Sequence, residues 1–178
     1  GALESALVGE TTLGEATAPP AIPVPKLTGH LSRNFLRGVI QMTNDFNAKG
    51  ATLKPEAFLA NWYGESGIHS TSYVPPPTNR GGLNQMGPEE LKGVGWTGLL
   101  TDYVRLTPEQ QLPYVRRFYE GWLERSSKAY GINAYSLLDG SAALYMLNFV
   151  PAYFMGFVPR EPNDKTPRIK DPHWVIAT

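Results

Sequence analysis

The sequence predicts a mainly α-helical, single folded domain with little or no β structure. Its length of 178 residues is typical of one domain, and 42% hydrophobic residues against 18% charged ones can supply a core. Apolar residues recur every three to four positions in several segments, as they do on one face of a helix. No stretch of useful length alternates between apolar and polar residues, which is the pattern of a half-buried strand.

Three parts are predicted along the chain. Residues 1–28 form an arm or linker, 29–160 a folded domain and 161–178 a polar tail. The first part is rich in Ala, Thr and Pro, and its prolines between positions 19 and 25 favour extended backbone. An ordinary frayed terminus is the alternative interpretation of that part.

The first two predicted helices lie early in the folded part. One spans 31–46, where apolar residues recur at helical spacing, and Gly50 follows as a stop signal. The second begins near Pro55, a residue suited to a first helical turn, and Gly67 ends it. Aromatic residues occupy one face of this second helix, and Glu65 falls in its last turn.

Two further helices follow an irregular segment. Residues 69–87 contain three consecutive prolines and several glycines, which allow only loops or short extended pairs. Thr107 then caps a third helix, with Pro108 at its first position, and Pro113 predicts a kink in it. The last helix begins at about Ser141 and is apolar around its girth, which predicts a buried central helix.

Charge and composition argue against several functional classes. The formal net charge of +0 removes the broad attraction on which nucleic-acid binding depends. The chain has no cysteine, and its three histidines lack metal-ligand spacing, so we predict no metal. We also expect no organic cofactor. No run approaches the roughly 18–20 apolar residues of a membrane span, and no secretory signal is visible in the first residues.

Glu65 is the candidate catalytic residue. It lies at the end of an aromatic-rich helix, about sixteen residues before a glycine-rich turn, an arrangement that can hold one acid in a partly dry cleft. Lost hydration disfavours the ionised form, so we expect the pKa of Glu65 to rise and the carboxyl to act as a general acid. Gly82 would let backbone approach a ligand, and the Gln85 amide offers hydrogen bonds to sugar hydroxyl or acetamido groups.

Two short motifs carry a resemblance to a known family. Glu65-Ser66-Gly67, followed by Gly-Leu-Asn-Gln-Met at 82–86 and then Pro88, resembles the Glu-Ser and Gly-Leu-Met-Gln signatures of lytic transglycosylases and goose-type lysozymes. The order and separation of the two motifs also fit, and the resemblance extends over 31–154. It implies a lysozyme-like fold in which the glutamate protonates the glycosidic oxygen between N-acetylmuramic acid and N-acetylglucosamine and then takes a proton back.

The same resemblance implies roles for neighbouring residues. Ser66 matches the serine that helps to hold the glutamate or the substrate, and Asn84 stands where the family usually has Met. The floor of the cleft is matched by Gly82, Leu83, Gln85 and Met86. A late Ala-Tyr-Asn-Ala-Gly motif is matched only loosely by Ala143, Tyr145 and Asn148, and Tyr145 is the candidate for the tyrosine that contacts the glutamate.

Tyr73 is predicted to bind substrate because of its place in the chain and not because of the family resemblance. It lies in the irregular segment, where an aromatic ring is free to stack on a pyranose face, whereas aromatics at helical spacing are more often core residues.

A second carboxylate is not evident in the sequence. Asp102 and Asp139 are the only aspartates between the glycine motif and the last helix, and they are interpreted as a solvated turn residue and a helix cap. Lytic transglycosylases manage with one carboxylate, because the acetamido and 6-hydroxyl groups of the substrate complete the chemistry and give a 1,6-anhydro product. The missing partner therefore favours transglycosylation over hydrolysis.

The predicted function is cleavage of peptidoglycan glycan strands outside the cytoplasm, in the cell wall, the periplasm or a phage virion. One alternative is a hydrolytic lysozyme or chitinase on the same fold. The other is a catalytically silent glycan-binding or structural module of a virion or secretion machine. The intact Glu-Ser signature argues against the silent module, and the altered late motif argues for it.

Overall fold

The computed structural model describes residues 28–149, so the predicted arm before residue 28 and the predicted tail at 161–178 lie outside the described residues. In the described part, 61% of residues are helical and 4% form strands, which confirms a mainly α protein. The elements in chain order are α1 (Arg33–Ala48), α2 (Pro55–Ser66), β1 (Tyr73–Val74), β2 (Arg80–Gly81), α3 (Pro88–Gly93), α4 (Leu100–Tyr103), α5 (Pro108–Tyr130), a 3-10 helix (Ala134–Leu137) and α6 (Ser141–Phe149).

The three strongest helical patterns become helices with local caps. The Ser32 side chain accepts a hydrogen bond from the Phe35 N–H at the start of α1. Gly67 ends α2 in the left-handed conformation. Thr107 and Gln110 form a reciprocal capping box at the start of α5, and α5 continues as one helix through Pro113.

The segment after α2 contains the only strands in the described residues. β1 and β2 pair antiparallel over two residues each, with Tyr73 opposite Gly81 and Val74 opposite Arg80. The expectation of short extended pairs is therefore confirmed. The short helices α3 and α4, which follow the hairpin, were not predicted.

The core lies between α1, α2, α5 and α6. Helix α1 packs against α5 and α2, and α2 packs against α6. An ion pair between Arg116 and Asp45, 2.7 Å apart, joins α5 to α1 at the edge of this contact. Large side chains fill the interior, among them Trp62, Tyr103, Tyr119, Phe35, Phe46 and Phe58.

Helix α6 differs from its prediction in two respects. Leu144 and Leu147 are fully buried, but Tyr145 is 46% exposed, so α6 is not buried on all sides. Gly140 directly precedes the helix and its carbonyl accepts from the Leu144 N–H, so Gly140 occupies the cap position that was predicted for Asp139.

No helix within residues 28–149 combines the length and the apolar character needed to cross a bilayer. Over the same range, no three His, Cys, Asp or Glu side chains cluster in a way that could hold a metal ion.

Candidate active site

Glu65 lies in the last turn of α2 and is partly buried. Burial raises the pKa of the Glu65 carboxyl above its usual value, because the ionised form loses hydration, and the nearby positive charge of Arg80 opposes that rise. Arg80 is itself held by the Gln85 carbonyl oxygen at 3.0 Å and by the Glu90 carboxylate at 2.8 Å. The carboxyl is therefore shifted in the direction that a general acid requires.

Ser66 brings the two predicted motifs together. Its hydroxyl donates to the Leu83 carbonyl oxygen at 2.7 Å and also lies 3.1 Å from the Trp62 carbonyl oxygen, one turn back on α2. The residue after Glu65 is thus bound directly to the segment 82–86, called here the 82–86 loop. Neither bond goes to the Glu65 carboxyl, so the predicted role of Ser66 in holding the glutamate or the substrate stays a prediction.

The 82–86 loop is a tight turn whose ends meet. The Gly81 N–H donates to the Met86 carbonyl oxygen at 3.0 Å, and the Met86 N–H donates back to Gly81 at 3.1 Å. Gly82 has a φ of +83°, a conformation that favours glycine. Leu83 and Met86 are fully buried, so their side chains support the loop from the core side.

Gln85 takes a different role from the one expected. Its side-chain Nε2 donates to the Gly82 carbonyl oxygen at 3.0 Å and to the Ser72 hydroxyl at 3.2 Å. Only 7% of the residue is exposed. The amide nitrogen therefore stabilises the loop, whereas the sequence interpretation had it facing sugar hydroxyl or acetamido groups.

Gln111 is a site residue that the sequence analysis missed. It is fully buried on α5, its Oε1 accepts from the Leu83 N–H at 3.0 Å, and its Nε2 donates to the Ser70 carbonyl oxygen at 2.8 Å. A Cβ atom at Gly82 would lie 2.8 Å from Gln111 Oε1. The signal was a polar residue inside the buried stripe of α5, where an amide must find partners.

A second missed group is a buried polar cluster beside Glu65. Trp62 Nε1 donates to the Tyr119 hydroxyl at 2.8 Å, and that hydroxyl donates to Asn148 Oδ1 at 3.1 Å. Asn84 Nδ2 donates to the same Oδ1 at 3.1 Å. The polar atoms of Trp62 and Tyr119 belong to aromatic side chains, whose spacing along a helix signals burial and not hydrogen bonding.

The two predicted tyrosines are exposed. Tyr73 is 37% exposed on β1 and pairs with Gly81, immediately before the 82–86 loop. On α6, Tyr145 lies one turn after Ser141, whose carbonyl oxygen accepts from Asn61 Nδ2 at 2.9 Å. The predicted contact of Tyr145 with Glu65 stays a prediction.

The two candidate second carboxylates lie apart from the buried cluster. Asp102 is exposed on α4, and Asp139 is exposed just before α6. Neither side chain enters the hydrogen bonds that join α2, α5, α6 and the 82–86 loop.

The histidines are not all scattered in space. The rings of His30 and His69 stack with centroids 4.3 Å apart, and His30 Nε2 donates to the Ile68 carbonyl oxygen at 3.0 Å. This contact fastens the first described residues to the turn that follows α2. Ile68 and His69 follow Glu65 closely in sequence. The two histidines are not part of any group of three or more possible metal ligands among the described residues.

A surface depression of about 670 Å³ lies at the C-terminal end of α5, whereas Gln111 lies near the N-terminal end of the same helix. It is lined by the last turns of α5 and by residues of the 3-10 helix, including Glu124, Lys128 and Tyr135. None of the residues predicted for the site lines this depression.

Comparisons with known proteins add no relatives. No protein-family model matches the chain, and no curated protein or solved structure matches it significantly.

Proposed function

We propose that the chain is a lytic transglycosylase with a lysozyme-like fold, which cleaves peptidoglycan glycan strands between N-acetylmuramic acid and N-acetylglucosamine. The observation that carries the proposal is the contact of the two motifs. Ser66, next to the half-buried Glu65, bonds the Leu83 carbonyl oxygen at 2.7 Å, so the acid and the 82–86 loop form one site. Burial raises the pKa of Glu65, which favours the protonated form that a proton donor needs.

In the first step, the protonated Glu65 carboxyl donates its proton to the glycosidic oxygen. The bond from C1 of N-acetylmuramic acid to that oxygen breaks, and positive charge develops at C1 and the ring oxygen. The leaving sugar departs with a free hydroxyl. Glu65 is left as a carboxylate, which also faces the developing positive charge.

In the second step, the Glu65 carboxylate takes the proton from the 6-hydroxyl of the same muramic acid. The freed O6 forms a bond to C1 and gives a 1,6-anhydro sugar, and Glu65 returns to its protonated form. Because the acetamido group and O6 belong to the substrate, this sequence needs one protein carboxylate.

The glycan strand would lie across the 82–86 loop. We expect the partly exposed rings of Tyr73 and Tyr145 to stack on pyranose faces of the strand. Gly82, Leu83, Gln85 and Met86 would act through the shape of the loop, since their side chains are absent or buried. Such a substrate places the working protein outside the cytoplasm, in the cell wall, the periplasm or a phage virion.

The test is mass spectrometry of the soluble fragments that the protein releases from purified peptidoglycan. Wild type and Glu65→Gln are compared with Glu89→Gln, which removes an exposed carboxylate on α3. We expect 1,6-anhydro fragments from wild type and Glu89→Gln and none from Glu65→Gln, with all three proteins folded by circular dichroism. An amide cannot donate the required proton.

Two other results would replace the proposal. Fragments with reducing ends would make the protein a hydrolytic lysozyme. No release from folded wild type, together with retained glycan binding, would make it a silent binding module.

A further inference from the structure

The buried polar cluster connects four separate parts of the chain. Its members are Trp62 on α2, Tyr119 on α5, Asn148 on α6 and Asn84 in the 82–86 loop. Asn148 is the centre, because its Oδ1 accepts from both Tyr119 and Asn84 and its Nδ2 donates to the Asn84 carbonyl oxygen at 3.3 Å. All four residues are at least nine-tenths buried. Hydrogen bonds this deep have no water to replace a lost partner.

The cluster meets both motif segments at their buried sides. Trp62 lies one turn before Glu65 on α2, and Asn84 follows Leu83, the residue whose carbonyl oxygen holds Ser66. The negative charge of Glu65 also contributes to the raised pKa of the Tyr119 hydroxyl, after burial as the larger cause, which places the two groups near each other. The separation of α2 from the loop is therefore set twice, by Ser66 and by the cluster.

We propose that Tyr119 and Asn148 are positioning residues, which hold the Glu65 end of α2 at a fixed separation from the 82–86 loop. They act through Trp62 and Asn84 and do not touch the reacting atoms. The inference rests on the proposed function for its kinetic test and is independent of it for its spectroscopic test.

Tyr119→Phe isolates the role, because it keeps the ring and removes only the hydroxyl. The variant leaves the buried Trp62 N–H without an acceptor and takes one donor from Asn148. The matched control is Tyr135→Phe, since the Tyr135 hydroxyl is also buried, and its polar neighbour is Lys49, which belongs to neither α2 nor the 82–86 loop. Tyr135 belongs to the 3-10 helix, outside the cluster.

The kinetic test compares kcat and KM on soluble glycan fragments at a temperature where both variants are folded. In Tyr119→Phe we expect kcat to fall roughly ten- to a hundredfold, with KM changed less than about twofold, because misplacement of the acid affects the transition state more than binding. Tyr135→Phe should keep the wild-type values. A kcat of Tyr119→Phe equal to that of wild type, or an equal loss in Tyr135→Phe, would overturn the proposal.

The spectroscopic test follows the Glu65 side-chain carboxyl carbon by NMR in a ¹³C-glutamate-labelled protein during a pH titration. A looser end of α2 admits water to the Glu65 carboxyl. The pKa of Glu65 in Tyr119→Phe should therefore fall toward its usual value, while the effect of the Arg80 charge stays the same. Tyr135→Phe should leave the titration in place. An unmoved Glu65 titration in Tyr119→Phe contradicts positioning, even if the protein proves to have no glycan-cleaving activity.

Asn84→Ser is the second variant, to be used in both measurements if Tyr119→Phe does not fold. It breaks the Asn84 side-chain bond to Asn148 and leaves the Trp62–Tyr119–Asn148 bonds intact. We expect the same directions of change, and wild-type kcat together with an unmoved Glu65 titration would overturn the proposal.

Discussion

The Ser66 hydroxyl donates to the Leu83 carbonyl oxygen over 2.7 Å, across 17 positions of sequence. The Leu83 N–H in turn donates to Gln111 Oε1 at 3.0 Å, so the peptide groups on both sides of Leu83 are fixed. A hydroxyl has one hydrogen, and the shorter of its two contacts is the one to the loop, with Trp62 at 3.1 Å on its own helix. The Ser66–Leu83 bond thus helps to place Glu65 against the 82–86 loop, although it is not part of the hydrogen bonding within α2.

Ser66→Ala is therefore expected to affect activity more than stability. Loss of one hydroxyl bond should lower the free energy of unfolding by about 1 kcal/mol. Glycan cleavage should fall roughly tenfold, because one of the two sets of bonds that hold the acid against the loop is lost. Denaturant unfolding and fragment release measure the two effects.

Ser126→Ala is the control for Ser66→Ala. The Ser126 hydroxyl donates to the Trp122 carbonyl oxygen, one turn back on α5, and makes no bond to another element among the described residues. Its removal should lower stability and leave turnover unchanged. Equal turnover of Ser66→Ala and wild type would show that the contact to Leu83 does not matter for the chemistry.

The sequence predicted α1, α2 and α5 because their signals are local. Thr107 and Gly67 act within one turn of the helix ends that they cap, and apolar spacing marks the buried faces. The short helices α3 and α4 hold too few turns for a periodic pattern, and they were missed. Asp139 was predicted as the cap of α6 from its residue type, but the cap position is the next residue, Gly140.

Within the candidate site, the sequence indicated some of the residues but not the residues to which they bind. Glu65, Ser66 and Gly82 stand out by motif and residue type. The partners Gln111, Tyr119 and Asn148 lie on helices distant in sequence, and their roles depend on tertiary contacts that periodicity does not encode. For Gln85 the sequence predicted a ligand as the partner of the amide. An amide can bind a ligand or backbone equally well, and only the folded loop shows that its partner is the Gly82 carbonyl oxygen.

Gly82→Ala should destabilise the protein by roughly 2–4 kcal/mol, from a left-handed backbone and crowding of a packed core. Its φ is +83°, and an added Cβ would lie 2.8 Å from Gln111 Oε1 and 2.7 Å from the Tyr103 ring. Gly64→Ala is the counterpart inside α2, with no atom within 4 Å of the added Cβ. That variant should gain about 0.5–1 kcal/mol, from the better helix propensity of alanine. Thermal unfolding of the two variants gives opposite shifts if the 82–86 loop is built as described.

Arg80→Gln should move the pH dependence of glycan cleavage. The Arg80 charge lowers the pKa of Glu65, so its removal raises that pKa and extends the protonated acid to higher pH. The alkaline fall of kcat/KM should then occur at a higher pH than in wild type, whereas Arg80→Lys should keep it in place. Because 47% of the Arg80 side chain is exposed, salt screens its charge, and the shift should be larger at about 0.01 M than at about 0.15 M salt. An unchanged profile in Arg80→Gln would remove Arg80 from the electrostatics of the site.

Glu65→Gln should be more stable than wild type at neutral pH. The folded state raises the pKa of Glu65, so between the usual glutamate value and the raised one the folded protein binds more protons than the unfolded chain. Stability of the wild type therefore falls as pH rises through that window, and the amide removes this cost. We expect a gain of roughly 1–2 °C in Tm at pH 7, modest because the half-exposed carboxyl keeps part of its hydration.

The same difference should close as pH falls below the usual glutamate value, where the carboxyl is protonated in both states. Asp45, whose pKa is lowered chiefly by its bond to Arg116, loses its stabilising charge on acidification in both proteins and cancels in the comparison. Thermal unfolding of wild type and Glu65→Gln from pH 4 to pH 8 measures the difference directly. A Tm of Glu65→Gln below that of wild type at pH 7 would mean that the Glu65 carboxylate is stabilised where it lies, which is incompatible with a general acid held protonated by burial.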